Sequence, residues 1–180
     1  MGKLFDEEFL ENEGLDMGSL RHSATQAKLT GLLLNNEALS IFTELSLDVS
    51  NHDLTKYRLN IKTELKPDIC AYKETPPEPN EEFEDDIISV SQMPELAIEV
   101  LSPSQSISYL VRKIKAYFSL GVKSCWLVMP SLDEIRVFSK PDSYKTFALN
   151  DSDLLDDVMD IHLSIPKIFG KKRQALQAAS

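Results

Sequence analysis

The most regular pattern of apolar and polar positions in this chain lies between residues 96 and 130. ELAIEVLS has the apolar content of a buried strand, the segment from Ile107 to Leu120 repeats apolar residues at helical spacing, and CWLVM is continuously apolar up to Pro130. That order predicts strand, helix, strand, with the two strands parallel across the connection. Leu110, Ile114, Tyr117 and Phe118 form the apolar stripe of the predicted helix, and Gly121 stops it. Lys113 follows Leu110 by three residues and precedes Tyr117 by four, so it rides on the border of the stripe and not on the open face with Arg112 and Lys115.

Patterning elsewhere is shorter. SATQAKLTGLLLN, Ser23 to Asn35, reads as a helix behind a serine cap, with Ala24, Ala27, Leu32 and Leu34 among polar residues. ELSLDV alternates strictly, which predicts a half-buried strand with Leu45, Leu47 and Val49 on one face and Glu44, Ser46 and Asp48 on the other. SNHDLTK then turns the chain into YRLNI, and LKPDICAY supplies a further strand entered through Pro67. EIRVFS and YKTFAL predict a hairpin or edge pair, and DDVMDIHLSIPKIF one short strand and a terminal turn. Strands mixed with helices in this order indicate an α/β fold, and no internal repeat is visible.

Composition bounds what this frame contains. With 180 residues, 42% of them hydrophobic, there is material for one well-cored domain over residues 1–180 and too little for two. No apolar run reaches membrane-spanning length, and MGKLFDEEFLENEG carries acids where a signal peptide would carry a basic patch and an apolar core. A soluble cytoplasmic protein with no membrane partner is therefore expected. Cys70 and Cys125, in DICAY and SCWLV, have no metal-ligand spacing and are expected as buried, reduced thiols. The net charge of −10 opposes general phosphate binding. Most of it, however, resides in ETPPEPNEEFEDD, residues 74–86, which has seven acids, three prolines and no base and reads as a mobile acidic loop. Lys167, Lys171, Lys172 and Arg173 make the C-terminal end basic, and residues 170–180 read as a solvated tail.

One residue breaks the apolar pattern. Glu99 stands inside the run Leu96 to Leu101, where an uncompensated carboxylate costs on the order of several kcal/mol. Either it lies at the wet end of its strand or something binds it. Asp68, just after Pro67, stands at the start of another strand. If the two strands are neighbours, the acids form an oxygen-rich site of the kind magnesium occupies, with manganese able to substitute. A lysine close by would complete a constellation for phosphodiester cleavage. Each residue also has a plainer account: a turn acid for Asp68, an exposed strand end for Glu99, a snorkelling helix lysine for Lys113 and a solvated face residue for Glu44. Ser102 and Ser104 read as turn and cap residues, and Trp126 as core. No G-x-S-x-G or glycine-rich loop is present, and His22, His52 and His162 are scattered along the chain.

KPDICAY, MPELAIEVLSPS and RKIKAYFSLGVKSCWLVMP together resemble the Uma-type restriction endonuclease branch of the PD-(D/E)XK nuclease superfamily, over roughly residues 66 to 130. The helix from His22 to Asn35 and the ending SIPKIF also fit. The resemblance implies a restriction-endonuclease-like core, a central mixed β-sheet flanked by α-helices. It implies magnesium ligands at Asp68, Glu99 and Val100, the last having only its main chain to offer. Leu101 stands where the wider superfamily has a lysine, and Lys113 on the next helix matches the lysine of the branch. Tyr109 stands where the branch has a further acid, and Glu44 is the candidate third acid from an early element. The function implied is a magnesium-dependent endonuclease acting on DNA, expected as a homodimer paired through an edge strand. The alternative is a catalytically weak or inactive nuclease fold serving as an interaction module.

Overall fold

A computed structural model describes residues 18–78 and 86–170. Helix α1 (Leu20–Leu33) leads into β1 (Ser40–Thr43), β2 (Leu47–Asp48), a 3-10 turn (Thr55–Tyr57), β3 (Glu64–Leu65) and β4 (Ile69–Tyr72). Then come β5 (Leu96–Val100), α2 (Ile107–Ser119), β6 (Ser124–Met129), β7 (Glu134–Lys140), β8 (Ser143–Ala148), β9 (Asp153–Asp156), β10 (Ile161–Ser164) and α3 (Ile165–Phe169). Six strands form one sheet in the order β1-β4-β5-β6-β7-β8, while β2–β3 and β9–β10 make two small pairs. Only β5 and β6 run parallel in the large sheet, joined through α2, and the other neighbours are antiparallel. Part of the acidic segment, residues 79–85, and the basic tail, 171–180, lie outside the described residues.

The strand-helix-strand unit forms as its periodicity predicts. Ser106 caps α2 by accepting from the Tyr109 N–H, and Gly121 follows its end at φ +99, where a side chain would be strained. Leu110, Ile114 and Tyr117 are buried, each contributing about 1.5–3 kcal/mol by the usual burial scale. Helix α1 differs from expectation at its start. Its cap is Ser19, whose Oγ accepts from the His22 N–H at 3.2 Å, and its buried positions are His22, Thr25, Leu29 and Leu33, with Leu34 exposed. ELSLDV alternates in burial, with Leu47 and Val49 inward, yet only Leu47–Asp48 pair as a strand. Glu44, at φ +52, turns the chain away from β1, an edge strand the pattern did not reveal. YRLNI forms no strand, because the 3-10 turn and Arg58 at φ +52 reverse the chain there. The closing segment contributes a full β9–β10 hairpin and a short helix where one strand and a turn were expected.

Alternation along the strands divides the core in two. Ile98, Trp126 and Val128 face Leu29 and Leu33 of α1, Leu154 and Ile161 of the hairpin, and Ile165 of α3. Ala97, Cys125 and Leu127 face the other way, onto Leu110, Ile114 and Tyr117 of α2 and onto Leu47 and Leu65. Both cysteines are buried free thiols, and burial raises that of Cys70 to about 12. Among the described residues, no helix is long and apolar enough to cross a membrane.

Candidate active site

Glu99 is not at a wet strand end. It lies in the central pair of the sheet, 2% exposed, and β4 runs antiparallel beside it with Ile69 opposite Ile98. Continuing that register by one residue sets Asp68 beside Glu99, so the two acids that the sequence keeps 31 positions apart share one end of the sheet. Asp68 is also buried, and its Oδ2 accepts from the Val100 N–H at 2.6 Å. One further step of the register brings Pro67 beside Val100, where the proline has no N–H to give to the Val100 carbonyl.

The cation comes from α2. Lys113 Nζ lies 2.8 Å from Glu99 Oε1 and donates to the Lys66 carbonyl at 2.9 Å. One turn further along the same helix face, the Tyr117 hydroxyl donates to the same Oε1 at 2.6 Å. The stripe border therefore points inward, and Lys113 does not snorkel to water. Burial pushes the Glu99 carboxyl up to about 7, with the Lys113 ammonium pulling it down and the Asp68 carboxylate adding to the rise. Burial works against the charge of Lys113 as well, but Glu99 more than offsets this and holds the ammonium above its ordinary range. Burial and the adjacent carboxylate raise Tyr117 well above the usual phenol, so it remains a hydrogen-bond donor.

These residues fit a hard divalent cation. Both protein donors to Glu99 converge on Oε1, and the Val100 N–H engages Asp68 through Oδ2, so among the described residues Glu99 Oε2 and Asp68 Oδ1 accept no hydrogen bond. Burial, with the Asp68 side chain adding to it, is what raises the Glu99 carboxyl, and a cation held between the two acids would favour its charged form. No cluster of three or more His, Cys, Asp and Glu side chains able to hold a metal occurs among the described residues. Two carboxylates with a main-chain carbonyl and retained waters suit magnesium better than a metal that demands a full protein cage.

Glu44 does not join the pair as a third acid. Its side chain is exposed, and it reaches Asp68 only through its backbone N–H, which donates to the Asp68 carbonyl at 3.1 Å. Two residues of α1 do arrive. His22 Nε2 stands 3.4 Å from Asp68 Oδ2, and Gln26 Nε2 donates to the Asp68 carbonyl at 3.1 Å. Neither was legible as a site residue, since each lies more than forty positions from Asp68. The one available signal was a polar pair at helical spacing, His22 and Gln26, on the same face as Leu29 and Leu33. Tyr117 was read only as part of the apolar stripe, although its spacing from Lys113 put its hydroxyl on the same face.

A mixed six-stranded sheet with paired strand-end carboxylates and a helix lysine defines a nuclease-like α/β protein. The family described as "Putative restriction endonuclease", Uma2, matches residues 8–166, and the chain belongs to that family. A solved structure described as a putative nuclease belonging to DUF820, from Anabaena variabilis ATCC 29413, superposes with a TM-score of 0.66 at 22% identity. The match covers 86% of this chain and 83% of the other, and at that identity it speaks for the shared fold. No curated protein matches.

Proposed function

We propose that this protein is a divalent-metal-dependent endonuclease that hydrolyses phosphodiester bonds in DNA. Asp68, Glu99 and the Val100 carbonyl would hold magnesium, with manganese able to take its place. The observation that carries this reading is the Glu99 carboxylate, buried beside Asp68 and held by Lys113 and Tyr117 through a single oxygen. When bound, the ion would draw charge from a phosphoryl oxygen and make a water acidic enough to attack phosphorus. The Lys113 ammonium orients Glu99 and is placed to stabilise the charge that develops on the phosphate. Tyr117 fixes the second side of Oε1, and the apolar packing of α2 against β5 and β6 keeps bulk water from the pair. Cutting both strands of a duplex calls for two sites, and β8, at the free edge of the sheet, is the surface through which two chains would pair.

Calorimetric titration of manganese and magnesium into the native protein, Asp68→Ala and Glu99→Ala, with plasmid cleavage followed in parallel, tests the assignment. Binding and cleavage lost in both variants support it. A native protein that binds no divalent ion at millimolar concentration, the order expected of weak oxygen-ligand sites, would favour the interaction module, with Leu101 and Tyr109 marking the lapse of catalysis.

A further inference from the structure

Asp68 is fastened from several sides, and two of its fastenings come from one helix. His22 and Gln26 are separated by four residues and therefore share a face of α1. The His22 ring, on a residue 4% exposed, approaches Asp68 Oδ2 with Nε2 at 3.4 Å, a charge–dipole contact without hydrogen-bond geometry, while the Gln26 amide holds the Asp68 carbonyl at 3.1 Å. The Val100 N–H donates to the same Oδ2 at 2.6 Å. Side-chain and main-chain groups thus fix Asp68 by its backbone and by one carboxylate oxygen, and Oδ1 is the oxygen left to a ligand. His22 and Gln26 also line an open groove of about 670 Å³ along α1, together with Ser23, Thr30 and Glu44.

We infer that His22 is a positioning residue of the metal site, its ring set within 3.4 Å of Asp68 Oδ2 so that Oδ1 stays directed to the cation, with Gln26 locking the main chain beneath it. This rests on Asp68 being a metal ligand, as proposed above. A carboxylate tethered only by the Val100 N–H would rotate about its terminal bond and spend part of its time turned away. A ring packed against the same oxygen restricts that freedom, and losing such an outer partner typically weakens metal binding by about 10–100-fold.

The experiment uses the full chain and manganese alone, with dissociation constants measured by calorimetry for the native protein, His22→Ala, His22→Gln, Gln26→Ala and Ser23→Ala. Thermal unfolding is recorded for each, Ser23→Ala serving as the control on the same helix. His22→Ala is expected to bind manganese about 10–100-fold more weakly. His22→Gln, which keeps a polar side chain there, is expected within about threefold of native, Gln26→Ala between the two, and Ser23→Ala unchanged. A folded His22→Ala that binds as tightly as the native chain overturns the inference while leaving the metal site standing. Should His22→Ala fail to fold, His22→Gln decides: native-like affinity supports the role, and a tenfold loss overturns it. If the native protein binds no manganese, the metal site and this role fall together.

Discussion

Two carboxylates, Glu99 and Asp156, are each 2% exposed on opposite faces of the same sheet, and the protein treats them differently. Asp156, at the end of β9, has both oxygens in use. Oδ2 accepts from the Ser124 hydroxyl at 2.6 Å and the Trp126 indole N–H at 2.7 Å, and Oδ1 from the N–H groups of Val158 at 3.0 Å and Met159 at 3.1 Å. Every donor is neutral, and together they pin the β9–β10 hairpin to the central strand β6. Glu99 has its two donors crowded on one oxygen, one of them a buried ammonium. A saturated buried carboxylate is a fastening, whereas a half-saturated one beside a second acid has capacity for a ligand.

The largest expected effect falls on the fastening. Asp156→Ala would strand the Trp126 indole N–H and the Met159 N–H in the core and leave the Ser124 hydroxyl only its 3.4 Å bond to the Phe138 carbonyl, at about 1–3 kcal/mol for each group left unpaired and less than additively. A total loss of about 4 kcal/mol or more is expected in urea unfolding, with manganese affinity of the remaining folded protein unchanged. A variant as stable as the native chain, or one that lost metal binding while folded, would erase the distinction between the two acids. Next in size is Lys113→Met, which removes the cation from Glu99 and leaves a buried charge without compensation, a loss of about 3–5 kcal/mol at pH 8. Near pH 5 the loss should shrink, because the carboxyl then binds a proton in place of the ammonium's support. An equal loss at both pH values would mean that Lys113 contributes packing and not charge.

The same contrast explains how much was legible in the sequence. The β5–α2–β6 unit follows from local periodicity, and Glu99 declared itself because a charge in an apolar strand needs a reason. Asp68 and Lys113 could be attached to it through spacing and the family resemblance. Asp156, equally buried, gave no such signal, because it stands beside Asp157 in an acid-rich stretch and its partners Ser124 and Trp126 lie some thirty positions earlier. His22 and Gln26 stayed hidden for the same reason, since the contact that defines them is made only when α1 packs across the sheet. Short elements failed on local grounds, with Glu44 and Arg58 at positive φ cutting strands that the alternation of residues alone would have extended.

A third prediction concerns pH in metal-free buffer. The folded state raises the Glu99 carboxyl from 4.5 to about 7, so it binds that proton more tightly than the unfolded chain does. The associated stability is fully present below 4.5 and is lost as pH rises through about 7. Glu99→Gln does not titrate. Its unfolding free energy relative to native should therefore shift in its favour by about 2–3 kcal/mol between pH 5 and pH 8. Parallel stability profiles for the two proteins would show that burial does not set this carboxyl apart.

The smallest effect sharpens the comparison furthest, because it matches one donor against one donor. Tyr117→Phe removes the hydroxyl from Glu99 Oε1 without stranding another polar atom, and Ser124→Ala does nearly the same at Asp156 Oδ2. Each should cost about 1–2 kcal/mol, because each carboxylate keeps a second donor on the same oxygen. Metal affinity should separate them. Without the hydroxyl, Glu99 is oriented by Lys113 alone and its free oxygen is less well directed, so manganese binding should weaken by about threefold to tenfold, at the low end for loss of an outer partner. Ser124→Ala should leave it unchanged, since Asp156 lies on the other face of the sheet. If calorimetry found the two variants equal in affinity as well as in stability, Tyr117 would be a second fastening, and orientation of Glu99 would rest on Lys113 alone.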